Sequence, residues 1–251
     1  MLAVIPARLG ATRLPRKPLR LLGGVPLVVR VWERVMEMGV ASRCVIATDS
    51  SEVADAARAV GAECVMTRAD HPSGTDRVAE VATRAEFARH EAIVNVQGDE
   101  PFVQREAVMG AAELVTSGRF PLGTAAAPAS ADVLQQPEVV KVVTADDGRA
   151  MYFSRAAIPF LRDSAESAIL GTLVRQHVGV YAYTRDALAR WVALPPHPLE
   201  RVERLEQLRP LAAGIAMGVA LVPMSPLGGI DTEDDLARAS AHWDDFRRGR
   251  A

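Results

Sequence analysis

Cysteine is scarce. The 251 residues hold only Cys44 and Cys64, with no CxxC pair and no histidine cluster beside either. That excludes a disulfide framework and gives no cysteine-based metal spacing, so both thiols, each inside a strand-like run, are expected to be buried and reduced. Charge of one sign is lacking as well. With 29 Lys and Arg against 31 Asp and Glu, the formal net charge is -2, and no global field draws the chain to nucleic acid or to an anionic membrane. Any anion site must be local. Long hydrophobic runs are missing too: the apolar stretch from Leu2 is interrupted at Arg8, too early for a signal-peptide core or a membrane span. The expectation is a cytoplasmic protein. There is no internal repeat and no low-complexity linker, and neither the Walker nor the dinucleotide glycine spacing occurs.

What is present is an alternation of short β-branched runs with helix-period segments, the pattern of a mostly parallel sheet with helices on both faces. Leu2 to Pro6 reads as a strand, and Pro26 opens a helix with Leu27, Val28, Val31, Val35 and Met38 on its apolar face, stopped at Gly39. Strands at Cys44 to Thr48 and Glu63 to Met66 flank a helix from Glu52 to Val60 capped by Ser50 or Ser51. A helix carrying Val78, Val81, Ala82 and Ala85 leads to a buried strand at Ala92 to Val96. After a helix at Arg105 to Ser117 the rhythm changes, with strands near Gly123 to Ala127, Val139 to Thr144, Met151 to Ser154 and Gln176 to Tyr183. Asp146-Asp147-Gly148 is a turn signal, so antiparallel pairing is expected there, as a sheet-edge excursion suited to a lid or a dimer surface. Helices at Leu199 to Ala213 and Thr232 to Arg248 flank a last strand at Met217 to Pro223.

Four segments carry chemistry. Between the first strand and its helix lie Arg8, Gly10, Thr12, Arg13, Arg16 and Lys17, a cationic loop whose backbone N–H groups and side chains suit polyphosphate; the plain alternative is a solvated basic loop. In Val94-Asn95-Val96-Gln97-Gly98-Asp99-Glu100-Pro101 an acid stands just past the carboxyl end of a buried strand, the edge where open α/β sheets bind ligands. Asp99 could hold Mg²⁺ there, or serve only as the N-cap of a following helix. In Gly228-Gly229-Ile230-Asp231-Thr232-Glu233-Asp234-Asp235 spacing alone favours a cap, from Asp231 or Thr232, with the later acids as dipole-compensating charge. Ser73-Gly74-Thr75-Asp76-Arg77 offers small residues that a base or ribose can approach closely. Arg155, Arg175, His177, Tyr181, Glu206 and Gln207 are polar groups beside apolar elements; together they fit a pocket for a polyhydroxylated acid, and singly each is an ordinary surface residue.

Taken in order, IPARLGATRLPRKPL, MTRADHPSGTDR, VNVQGDEP, VKVV, YFSRAAIP, RQHVGVYAY, PLERVERLEQLR and GGIDTEDDL resemble the CMP-Kdo synthetase family, the 3-deoxy-manno-octulosonate cytidylyltransferases, over nearly the whole chain. The resemblance implies a three-layer αβα, Rossmann-like nucleotidyltransferase fold with a predominantly parallel mixed sheet. It implies one domain across 1–251, with the sugar-binding and dimerisation excursion at roughly 119–198, and a homodimer. The implied reaction is attack by the anomeric hydroxyl of Kdo on the α-phosphorus of CTP, giving CMP-Kdo and pyrophosphate for lipopolysaccharide synthesis. Carried over by motif, Arg8, Arg13 and Lys17 meet the phosphates, and Ser73, Gly74 and Arg77 lie near base and ribose. Asp99 and Asp231 become Mg²⁺ ligands, which overrides the capping reading of Asp231. Lys17, Arg8, Asp99 and Asp231 form the catalytic set. Gln97, Arg155, His177, Tyr181, Glu206 and Gln207 contact the sugar acid, with Arg155 as the carboxylate partner.

Two positions depart from the family pattern. Arg16 stands where glycine is common, so the backbone either avoids positive φ or accepts strain, and one more cation joins the site. Glu233 replaces a frequent proline in a first helical turn, where both are tolerated. No residue stands out as a general base. Rival readings are a cytidylyltransferase for another acid, such as 8-amino-Kdo or a nonulosonate, and a catalytically silent nucleotide-binding homologue; the intact set of Asp99, Asp231 and Lys17 speaks against the second.

Overall fold

The computed structural model describes residues 1–10, 13–223 and 227–247. Ala11 and Thr12 of the basic loop, and the expected helix end at Arg248, lie outside them. The chain divides into two compact units, Met1–Val103 with Leu227–Ala251, and Gln104–Pro226.

The first unit contains β1 (Leu2–Ala7), the short hairpin β2 (Leu21–Leu22) and β3 (Val25–Pro26), α1 (Leu27–Met38), β4 (Arg43–Thr48), α2 (Ser51–Arg58), β5 (Glu63–Met66), α3 (Gly74–Thr83) and β6 (Ala92–Val96). β1 pairs in parallel with β4 on one side and β6 on the other, and β4 pairs in parallel with β5. Every residue of β1 and β6 is buried, which is why these strands read as continuous apolar runs rather than alternating ones. α1 buries the expected face, Leu27, Val28, Val31, Val35 and Met38, and ends at Gly39 with φ 61°. Ser50 caps α2 by accepting the Val53 N–H. Two local expectations change: Ala85 falls in a 3-10 turn beyond the end of α3, and Cys64 is half-buried rather than buried. Cys44 is buried, and burial followed by the Glu63 charge pushes its thiol up to about 12.

The second unit holds α4 (Arg105–Thr116), β7 (Leu122–Pro128), β8 (Lys141–Thr144), β9 (Ala150–Ser154), α5 (Ser167–Leu173), β10 (Arg175–Thr184), α6 (Arg185–Ala193), α7 (Pro198–Glu203), α8 (Leu208–Ala212) and β11 (Met217–Leu221). α9 (Glu233–Arg247) then belongs to the first unit. Antiparallel pairing does take over here: β10 runs against β7 and β8, and β8 against β9 through the turn where Gly148 has φ 83°. β11 is parallel to β7. The expected single helix from Leu199 to Ala213 is instead broken into α7 and α8, with Arg204 at φ 56° between them. Partners outside the helix account for the break. Glu203, the last residue of α7, accepts from Ser154 Oγ at 2.6 Å and from the Arg155 N–H at 2.9 Å, while Glu200 closes the capping box at His197 that starts α7 and reaches forward to Arg209. No helix among the described residues is long and apolar enough to cross a membrane.

Candidate active site

The parallel strands of the first unit end in loops on one edge, and two buried residues decide how those loops meet. Leu14 and Ile230, both almost fully buried, share an apolar cluster with Leu22, Leu27, Phe102, Leu236, Ala239 and Trp243. Leu14 thereby pins the middle of the basic loop, and its carbonyl accepts the Lys17 N–H at 3.1 Å. Ile230 pins the glycine turn, and its N–H donates to Asp99 O at 2.9 Å, stitching the two acidic segments together. Glycine is needed at one contact and gives close approach at another. A Cβ on Gly98 would lie 2.8 Å from Pro6 O, and one on Gly229 would lie 2.8 Å from Glu100 Oε1.

Asp99, Asp231, Lys17 and Arg13 converge as a result. Lys17 Nζ donates to Asp99 Oδ2 in a short contact and to Asp231 Oδ1 at 2.9 Å, while Arg13 Nη2 donates to Asp231 Oδ2 at 2.9 Å. Burial pulls the Lys17 ammonium down, but the Asp99 and then the Asp231 carboxylates outweigh it, so its pKa is raised and it is firmly a cation. Glu100 is the group that the sequence reading passed over. Burial first, then the Asp99 and Asp231 charges, push its carboxyl up to about 8 against the opposing pull of Lys17. Gly229 faces it, and a Cβ there would lie 2.8 Å from Glu100 Oε1.

The competing capping readings are settled by geometry. Thr232 Oγ1 accepts the Asp235 N–H at 3.1 Å, and Asp235 Oδ2 accepts the Thr232 N–H at 2.9 Å and the Asp231 N–H at 3.1 Å. That reciprocal pair caps α9 and leaves the Asp231 carboxylate out of the cap. Asp99 caps nothing either, since the helix after it begins at Arg105 with Gln104 as its N-cap. Two carboxylates that already grip one ammonium from both sides form a donor set that suits one hard divalent cation. Among the described residues no group of three or more His, Cys, Asp or Glu is arranged for a metal; Mg²⁺ does not require one, because it keeps water and substrate phosphate in its shell.

The other nucleotide candidates sit as follows. Ser73 is the N-cap of α3, and its Oγ donates to Asp76 Oδ2 at 2.7 Å. Gly74 packs on Pro6, and a Cβ there would lie 3.8 Å from Gln97 Oε1, so Ser73, Gly74 and Gln97 gather at the ends of β1 and β6. Arg77 is buried, bonded to Thr67 Oγ1 and paired with Asp49 at 3.0 Å, which commits it to bracing the loop from behind. Arg8 is exposed just beyond β1. Arg16 resolves against one expectation: it does take positive φ, at 58°, but its guanidinium pairs with Glu52 in the open, so it adds no cation to the carboxylates.

In the second unit His177 and Tyr181, four apart on β10, share a face by the alternation of a strand, and a register shift between Val178 and Tyr181 draws them together, with ring centroids 5.5 Å apart. Thr124 Oγ1 donates to Val180 O at 2.7 Å, so the His177 Nε2–H, 2.9 Å away, donates to Thr124. Burial pulls His177 down to about 3, leaving it neutral. Burial, then Tyr183 and Glu206, raise the Tyr181 hydroxyl well above its ordinary value, which places Glu206 within electrostatic reach of the tyrosine. Gln207 is buried, and among the described residues its Nε2 has no hydrogen-bond partner, a donor left for something else to satisfy. Arg155 is less free than the sequence suggested: Nε donates to Glu203 O at 2.9 Å and Nη1 to Pro137 O at 3.0 Å. Its own carbonyl accepts from the buried Lys141 ammonium at 2.6 Å.

The fold is shared with the inositol-1-phosphate CTP transferase from T. maritima, at TM-score 0.68 and 16% identity over 100% of this chain and 97% of that one. It is the mixed α/β fold of a nucleotidyltransferase. Closer in sequence is CMP:2-keto-3-deoxy-manno-octonic acid synthetase, solved in complex with CTP, at 36% identity and TM-score 0.89 over 98% of both chains. The cytidylyltransferase family model matches residues 2–217. The 3-deoxy-manno-octulosonate cytidylyltransferase of Gemmatimonas aurantiaca is 68% identical over 97% of this chain and 94% of its own length, and that of Methylococcus capsulatus 47% over 95% of both. The chain belongs to the 3-deoxy-manno-octulosonate cytidylyltransferase family.

Proposed function

We propose that this chain transfers CMP from CTP to the anomeric hydroxyl of 3-deoxy-D-manno-octulosonate, forming CMP-Kdo and pyrophosphate for lipopolysaccharide synthesis. The observation that carries the reading is the convergence of Asp99, Asp231 and Lys17 in a chain 68% identical to a relative named for that reaction. Asp99 and Asp231 are the residues that would hold Mg²⁺, which when bound neutralises charge on the reacting phosphate. Lys17, Arg13 and Arg8 bind the β- and γ-phosphates and stabilise the charge on departing pyrophosphate. The Ser73-Gly74 backbone receives the base and ribose, and Arg77 holds that segment through Asp49 and Thr67.

His177, Tyr181, Glu206, Gln207 and Arg155, all of the second unit, recognise the sugar acid. The Gln207 Nε2, without a partner among the described residues, and the neutral His177 suit hydroxyl groups, while Arg155 supplies the positive charge for the carboxylate. The chemistry needs alignment and charge stabilisation rather than a covalent intermediate. A cytoplasmic homodimer is the proposed form. Exposed Phe160, Ile169 and Leu173 within the 119–198 excursion support the dimer surface.

The test is pyrophosphate release from CTP and Mg²⁺ with a panel of sugar acids. Release with Kdo in preference to 8-amino-Kdo and nonulosonates is expected. Release with only one of the latter would replace the acceptor, and release with none would replace the function by a silent nucleotide binder.

A further inference from the structure

Asp231 has both carboxylate oxygens claimed by cations of the phosphate loop, Oδ1 by Lys17 and Oδ2 by Arg13, and Lys17 reaches Asp99 with the same ammonium. These contacts compete with the reaction's own. One ammonium cannot lie between the two carboxylates while a divalent cation takes the same oxygens, nor can it neutralise the β- and γ-phosphates from there. We propose that Lys17, assisted by Arg13, is the resident counter-ion of the Asp99/Asp231 pair, a latch that MgCTP opens by exchange of partners. On binding, the nucleotide phosphates take the two loop cations, and the released carboxylates take the metal. The inference rests on the reading above that Asp99 and Asp231 hold the divalent cation.

The latch is built into the fold. Leu14 is fully buried in a cluster with Ile230, so the loop is fastened to the segment bearing Asp231. The Lys17 side chain is 18% exposed, against 68% for Arg13, and electrostatic competition strengthens as water is excluded. The Ile230 N–H bond to Asp99 O holds the segments bearing Asp99 and Asp231 together, and Lys17 is the cation that both carboxylates share. The consequence is thermodynamic. Metal alone must displace Lys17, and nucleotide alone must draw Lys17 from its carboxylates, whereas the two together complete the exchange. Each therefore strengthens binding of the other by the same factor.

The test titrates Mn²⁺ into the full chain without nucleotide, following free Mn²⁺ by electron paramagnetic resonance. Lys17→Met is expected to tighten Mn²⁺ binding about tenfold, the competing closed state having been removed, and to lessen the enhancement that CTP produces in the parent protein. Adding Asp99→Asn to Lys17→Met is expected to abolish the gain. Arg13→Ala, at an exposed position that folding does not need, is expected to tighten binding about two- to threefold, and provides the reading if Lys17→Met does not fold. Arg16→Ala, the same loss of charge in the same loop but aimed at Glu52, controls for a general field. Equal tightening by Arg16→Ala, or no tightening by Lys17→Met and Arg13→Ala while Asp99→Asn still weakens Mn²⁺ binding, overturns the latch and leaves the metal site standing. Mn²⁺ binding indifferent to Asp99→Asn overturns the metal site and the latch with it.

Discussion

At the ends of β1 and β6 charge meets charge, whereas along β10 polar groups are held among rings and apolar side chains. Lys17 stays a cation because two carboxylates outweigh its burial. His177 is made neutral by burial. The difference fits the two tasks. A polyphosphate with its cation needs fixed charges that can change partners, while a sugar acid rich in hydroxyls needs neutral donors and acceptors in fixed directions.

The contrast can be broken most forcefully at Asp99. Asp99→Ala should lower kcat by about a thousandfold or more with an unchanged circular dichroism spectrum; substantial turnover at saturating Mg²⁺ would remove the metal-ligand role. Next comes Gln207, whose Nε2 has no partner among the described residues. Gln207→Leu should raise KM for the sugar acid about tenfold and leave KM for CTP unchanged, and steady-state kinetics with each substrate varied in turn would show whether the effect is confined to the acceptor.

His177 gives a smaller, pH-dependent effect. Its folded pKa, about 3, lies below the ordinary 6.5, so between those values the unfolded chain binds a proton that the native one refuses. The stability tied to neutral His177 is complete above pH 6.5 and is lost as pH falls toward 3. Urea midpoints of the parent and of His177→Asn, compared at pH 7.5, 5.5 and 4.5, should differ less at each step down; a constant difference would mean that His177 does not titrate in this window. The smallest effect is expected at Arg16. Arg16→Gly relieves a residue at φ 58° and removes an exposed pair with Glu52. Those terms oppose each other, and kcat/KM should stay within about twofold of the parent value.

Much of the first unit was legible because its signals are local. Apolar runs gave the parallel strands, glycines and serines marked helix ends, and a cluster of cations directly after a buried strand is conspicuous without any fold. The role of Asp231 was not legible in that way, since an acid before a helix is ordinarily a cap; the Thr232 and Asp235 pair that frees it depends on side-chain geometry. The helix expected at Leu199 to Ala213 failed for a similar reason. Its residues have helical spacing, but Glu203 is drawn to Ser154 and Arg155, far away in sequence.

By itself, then, the sequence determined the alternating α/β architecture, the basic loop after the first strand, the acids at two loop ends and, through its family resemblance, the chemistry those loops serve. Only the tertiary structure decided that Leu14 and Ile230 share one apolar cluster and so bring Lys17 onto Asp99 and Asp231, that Arg16 faces Glu52, and that a shift in β10 sets His177 beside Tyr181. The physical reason is common to all three. Propensity and period act over a few residues, but which charges meet is settled by distant apolar side chains that must be buried together.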